Sequence, residues 1–226
     1  VDIGIGLPEE VARLLHESGV MKKLNMLTEA GAVGGVAAPG VFFGAAINPD
    51  KVIPSSDVFD MMYKRLDWVV LGMLQADSLG NVNVSKRGKG PKNHVGPGGF
   101  IDLVTCAKSI LFCGAWGARS KVEVRGNKVK VIAPGIPKFV DKVDEITFNG
   151  QEALKHGKSV YYVSQVGAFK LTARGMELIY VMPGIDIQKD ILDVCPMKIV
   201  MPESGAPQVV GPEVVTGKGF RFELHG

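Results

Sequence analysis

Glycine limits what this chain can fold into more than any other residue. It fills 29 of 226 positions, about one in eight, against about 7% in ordinary globular proteins. No Gly-x-y period runs through the sequence, and 46% of residues are hydrophobic, so neither a collagen helix nor a disordered chain explains the excess. The glycines must serve places where the backbone needs positive φ or where something approaches it closely. They are also crowded. Five fall between Gly31 and Gly44, five between Gly88 and Gly99, and Gly4 and Gly6 frame a tight turn near the start.

Charge, cysteine and histidine remove several classes. The net charge is +3, and a nucleic-acid binder would cluster it and interleave aromatics. The one basic cluster, Lys86, Arg87, Lys89 and Lys92, contains no aromatic. It reads as a solvated loop, or as a local holder of a phosphate-bearing ligand, and no nucleic-acid partner is expected. Cys106, Cys113 and Cys195 form no CxxC pair and are odd in number, which implies reduced thiols. His16, His94, His156 and His225 have no ligand spacing, so no metal site is expected. The most apolar stretch, Gly31–Ile47, carries five glycines and Pro39 and would make a poor membrane helix. The chain starts at Val1, straight into a strand-like segment with no signal peptide ahead of it. A fragment, a processed chain or unlisted upstream residues are the expected explanations.

Apolar runs alternate with helical patterns in the first half, which implies α/β organisation. A helix should start near Pro8, with Glu9 and Glu10 against the positive end of its dipole, bury Val11, Leu14 and Leu15, and stop at Gly19. Asn25–Thr28 reads as a short buried strand ending at Glu29, and Trp68–Leu74 as another. Asp77–Gly80 reads as a turn into an edge strand at Asn81–Ser85, and Ile101–Cys106 and Ser109–Cys113 as further buried elements. Gly126-Asn127 marks a hairpin between Val122–Val124 and Lys128–Ile132. Val140–Phe148, Val160–Val163, Phe169–Leu171 and Leu178–Val181 read as strands and Asp186–Leu192 as a short helix. With no repeat and no composition break, residues 1–200 are expected to form one domain and 201–226 an irregular tail.

Three segments carry groups able to do chemistry. In Val1–Pro8, a strand, a Gly-x-Gly turn and a helix start make an anion- or cofactor-binding turn. Glu9 replaces the third glycine of the dinucleotide fingerprint, so a plain strand-to-helix turn is an equal reading. In Thr28–Gly35 a carboxylate, Glu29, stands at the end of an inferred strand, the edge where open α/β sheets bind ligands. A glutamate solvated at a loop mouth is the structural alternative. In Gly96–Asp102 adjacent glycines could aim backbone N–H groups at one oxyanion, or simply turn the chain.

Together, and in this order, these segments resemble family I coenzyme A transferases of the acetate/propionate branch. The matching stretches are Gly-Ile-Gly-Leu-Pro (4–8), Thr-Glu-Ala-Gly-Ala-Val-Gly-Gly (28–35), Phe-Gly-Ala-Ala-Ile-Asn-Pro (43–49), Gly-Asn-Val-Asn-Val-Ser-Lys (80–86) and Gly-Pro-Gly-Gly-Phe-Ile-Asp (96–102). Pro183–Asp186 with Asp190–Leu192 looks like the closing segment. The resemblance covers about residues 1–200 and corresponds to the C-terminal, β-type half of the family. It implies an open, mostly parallel α/β sheet flanked by helices, with added hairpins, like that of sugar-phosphate isomerases. It implies Glu29 as the covalent nucleophile, passing through an acyl anhydride and a glutamyl-CoA thioester with ping-pong kinetics. It further implies Gly4, Ile5, Gly6, Leu7 and Pro8 against CoA, and Gly99 both against substrate and as an oxyanion donor. Acyl-CoA and a short-chain carboxylate are the implied substrates, with no permanently bound cofactor. An α-type domain or subunit, a homo- or hetero-oligomer, and a cytoplasmic or mitochondrial-matrix setting are implied as well. Met61–Asp67 and Val36–Gly40 depart from the family's usual glycine and proline pattern, which leaves the acyl group open. Acyl-CoA hydrolysis on the same scaffold, and a non-catalytic CoA-binding or subunit-organising role, are the rival readings.

Overall fold

The chain was described from a computed structural model, which covers residues 1–4 and 6–222. It divides into two compact units, although no composition break announced a division. The first takes Val1–Gly72 and Pro97–Cys113, with Arg221 and Phe222; the second takes Met73–Gly96 and Gly114–Phe220.

Three parallel strands of the main sheet form the centre of the first unit. Asp2–Ile3 pairs with Leu66–Gly72, Asp2 opposite Val69 and Ile3 opposite Val70. Leu66–Gly72 pairs in turn with Ala107–Cys113, from Leu66 opposite Ala107 to Gly72 opposite Cys113. The run Val69-Val70-Leu71 is buried throughout, the pattern of a parallel strand covered on both faces. Three helices accompany it: Glu9–Glu17, Ser55–Lys64 and Phe100–Cys106. The first begins and ends where its sequence demands, with Pro8 at the cap and Gly19 at φ 70° after it. Its buried residues are Ala12 and Leu15, packed with Ile3, Met26 and Val70, while Val11 stays partly exposed. Phe100, Leu103 and Val104 are buried from the third helix, Phe100 with its ring 6.1 Å from that of Phe112.

Antiparallel pairing dominates the second unit. Ser159–Val163, Gly167–Thr172 and Gly175–Val181 form a meander. The expected hairpin is present as Lys121–Arg125 and Lys128–Ala133 around Gly126 at φ 63°. Trp116, Phe139 and Phe169 stack at 5.1 to 6.3 Å in its core. The whole is an α/β fold with helix-flanked parallel strands, as expected. Among the described residues, no helix is long and apolar enough to cross a membrane.

Several expectations fail locally. Within Asn25–Thr28 only Leu27 makes bridges, to Asp2 and Val33, because the chain turns at Glu29 before a ladder can extend. Val140–Phe148 contains a strand only at Phe139–Val140. Beyond it, polar side chains hold the backbone: the Gln75 oxygen accepts from the Asp144 N–H, and Ser85 meets Glu145 and Thr147. Side-chain bonds of this kind compete with strand pairing. Asp186–Leu192 becomes a π-helical turn, Ile187–Leu192, capped by the Asp186 carboxylate. The tail expected to be irregular contains a strand, Gln208–Val209, beside Gly175–Val181, and a helix, Pro212–Thr216. An edge strand offers unpaired backbone groups to any segment that reaches it, a partner that the tail's own composition does not reveal.

Candidate active site

Glu29 stands on a four-residue turn. The Gly31 N–H donates to the Thr28 carbonyl at 2.9 Å, leaving Glu29 and Ala30 at the tip. Three further bonds fix that turn. The Thr28 hydroxyl donates to the Gly44 carbonyl at 2.8 Å and accepts from the Ala32 N–H at 3.2 Å. The Ser55 hydroxyl, at the start of helix Ser55–Lys64, donates to the Glu29 carbonyl at 2.6 Å. Gly31 has φ 117°, and a Cβ there would run into the Ile53 backbone carbonyl. Glycine is therefore required by both torsion and space.

Glu29 lines a cavity of about 160 Å³ together with Asp2, Glu9, Thr28, Phe43 and Gly44. Its pKa is raised, first by burial and then by the neighbouring charge of Asp102. Asp102 in turn accepts a hydrogen bond from the Tyr63 hydroxyl at 2.7 Å. A carboxylate partly stripped of water and repelled by a second anion is a stronger nucleophile than one in bulk solvent.

Gly99 lies against that carboxylate. A Cβ added to Gly99 would stand 2.5 Å from Glu29 Oε1 and 2.9 Å from the Phe59 ring. Two residues seventy apart in sequence are thus in direct contact, with room at Gly99 only for hydrogen.

The Gly4–Pro8 segment is placed differently. Gly4 donates its N–H to the Val70 carbonyl at 2.7 Å, and a Cβ would meet Leu71 at 3.1 Å. Close packing on the neighbouring strand accounts for this glycine. Gly6, at φ 89°, donates to Glu9 Oε1 at 3.0 Å, while the other Glu9 oxygen accepts from the Gly40 N–H at 3.1 Å. Leu7 is exposed and Pro8 buried. Ile5 lies outside the described residues.

Asp2 and Asp102 are the site groups that sequence reading passed over. Asp2 is only 3% exposed, and burial, then the charge of Glu29, pushes its pKa up to about 7. An acid inside an otherwise apolar strand, directly before Gly-x-Gly, was the available signal for it. The basic loop containing Lys86, Arg87, Lys89 and Lys92 is largely solvent-exposed. Among the described residues, no three His, Cys, Asp or Glu side chains gather as a metal site.

No family model matches the chain. Caffeate CoA-transferase from Acetobacterium woodii is 37% identical over 198 residues, 85% of this chain and 38% of that protein. Acetate CoA-transferase YdiF from Escherichia coli strain K12 is 35% identical over 196 residues, 85% of this chain and 36% of that one. The chain is a homologue of CoA-transferases. Its fold agrees: the acyl-CoA transferase YdiF apoenzyme of E. coli O157:H7 superposes with a TM-score of 0.84 at 30% identity, over 94% of this chain and 40% of that one. A YdiF thioester complex with CoA gives 0.83. The chain spans well under half the length of these relatives.

Proposed function

We propose that this chain is the β-type, nucleophile-bearing part of a CoA-transferase acting on short-chain acyl groups, and that Glu29 is its nucleophile. The observation that carries the reading is the contact between the Glu29 carboxylate and the backbone of Gly99 beside a cavity. Homology to CoA-transferases, and the existence of a YdiF thioester complex with CoA, support it.

In this reading a Glu29 oxygen attacks the acyl-CoA carbonyl, the C–S bond breaks, and CoA leaves as thiolate from a mixed anhydride. The thiolate then attacks the glutamyl carbonyl, releasing the acyl group as a carboxylate and leaving CoA on Glu29 as a thioester. A second carboxylate attacks that thioester and returns through the same steps as acyl-CoA. Each addition builds negative charge on a carbonyl oxygen, which preorganised backbone donors stabilise. Gly99 is assigned as one donor, with Gly4, Ile5, Gly6, Leu7 and Pro8 along the CoA path. Gly4 and Gly6 serve packing and the turn as well, so their contribution to CoA binding is in shaping the segment. The remaining length of the relatives corresponds to an α-type domain or subunit that completes the enzyme and its oligomer.

The test is mass spectrometry of the complete protein after incubation with acetyl-CoA and propionyl-CoA. A CoA thioester on the peptide containing Glu29, with parallel-line kinetics when a second acid is varied, is the expected result. An adduct on a cysteine peptide refutes the nucleophile assignment. Turnover that continues undiminished when the acid acceptor is omitted assigns the scaffold to hydrolysis instead.

A further inference from the structure

Asp2 belongs to the Glu29 cavity but has no part in the covalent chemistry above. Its strand, Asp2–Ile3, is bridged at Asp2 to Leu27, two residues before Glu29, and both residues line the same cavity. Asp2 Oδ2 is fully buried and has no hydrogen-bond partner among the described residues. Buried polar atoms are normally paired, so an orphaned carboxyl oxygen on a residue that lines a cavity points to a partner brought by a ligand.

The groups around Asp2 favour its neutral form. Glu29 and Glu9 line the cavity with it, Glu9 already engaged by two backbone N–H groups. On the adjacent strand, Asp67 is paired with Arg65 and Lys108. Burying a carboxylate beside a second carboxylate, with no side-chain cation to pair it, costs more than holding the proton.

We infer that Asp2 carries its proton in the working enzyme and donates a hydrogen bond to the carboxylate of the acid substrate bound beside Glu29. This assignment rests on the reading of Glu29 as nucleophile. The incoming acid meets Glu29 as its neutral CoA thioester, in a cavity where its own carboxylate has lost water; a neutral Asp2 acid offers a donor that offsets this loss. The Asp2 proton is not transferred, and no bond to Asp2 forms or breaks. Burial, the larger cause of the raised Asp2 pKa, persists when Glu29 carries CoA, so the donor is present in acid and lost as pH rises.

The test uses the complete transferase with propionate as acceptor and acetyl-CoA as donor, as wild type, Asp2→Asn and Asp2→Ala, from about pH 5.5 to 8.5. Formation of the Glu29 thioester from acetyl-CoA alone is measured first, in every variant. It checks folding and the nucleophile independently of the acceptor. The wild-type KM for propionate should rise about tenfold as pH rises across this range, the scale of one hydrogen bond to a charged group. Asp2→Asn keeps an N–H donor that does not titrate, so its propionate KM should stay low and flat. Asp2→Ala should show the raised KM at every pH, with the KM for acetyl-CoA changed less than twofold. Thioester formation with identical propionate profiles in all three proteins overturns the assignment. So does an Asp2→Asn enzyme as impaired as Asp2→Ala, because that would make the ionised carboxylate the working form. Absence of any thioester in the wild type instead refutes the Glu29 reading, and this assignment falls with it.

Discussion

Replacing Gly99 by alanine isolates what its contact with Glu29 does. The backbone at Gly99 has φ −75°, a conformation alanine adopts freely, so the chain itself does not object. Losing glycine as a helix cap costs a few tenths of a kcal/mol, and restricting the unfolded chain returns about 0.4–1 kcal/mol. The added methyl, however, would stand 2.9 Å from the half-buried Phe59 ring, which must shift, so stability should fall by about 1–3 kcal/mol. The same methyl would lie 2.5 Å from Glu29 Oε1, where ordinary contact begins near 3.4 Å. Either the carboxylate or the Gly99 backbone must yield by about 0.9 Å, the difference between these distances. Glu29 is half-buried on a turn tip and its carboxylate will swing. A displacement near 1 Å at a reacting atom costs on the order of 10²-fold in rate, about 2.7 kcal/mol of barrier. The assay is rapid-quench mass spectrometry of CoA thioester formation on Glu29, alongside a thermal melt. A melt about 2–12 °C below wild type with a hundredfold slower adduct is expected. An adduct rate within twofold of wild type would show that the close approach has no catalytic consequence.

Three other outcomes follow from the same geometry. Glu29→Gln keeps the turn, whose bonds are made by Thr28, Gly31 and Ser55; it should retain the wild-type melt and lose transfer by more than about 10³-fold in an acyl-CoA exchange assay. Gly31→Ala should instead destabilise by about 2–4 kcal/mol, because φ 117° is strained for alanine and its Cβ meets immovable backbone; at this length that is roughly 5–15 °C in the melt. Asp2 makes stability depend on pH. Its folded pKa lies near 7 against an ordinary 3.8, so its favourable contribution is complete below about pH 3.8 and disappears as pH rises through 7. At about 1.4 kcal/mol per pH unit the loss approaches 4 kcal/mol. Asp2→Asn should accordingly melt above wild type at about pH 8, with most of that advantage gone at about pH 5, as read by scanning calorimetry.

Much of the fold is written locally. Pro8, Glu9 and Gly19 delimit the first helix whatever surrounds it, and Gly126-Asn127 closes its hairpin without help from distant residues. Val69-Val70-Leu71 announces a strand buried on both faces by its lack of polar alternation. The elements that escaped reading depend on partners far along the chain. Gln208–Val209 is a strand only because Tyr180 and Val181 present an open edge, and 141–148 stays irregular because Gln75 and Ser85 bind its backbone and side chains.

The site divides the same way. The order of its motifs, through their resemblance to CoA-transferases, made Glu29 and Gly99 the candidates, although neither segment decided its own role when read alone. Sequence alone left open whether Gly4 serves the ligand or the sheet; contact with Val70 and Leu71 supplies the packing reason. It also gave Asp2 no weight. Folding puts its carboxyl beside Glu29 in one cavity and away from water, and a pKa is a property of those surroundings rather than of the residue.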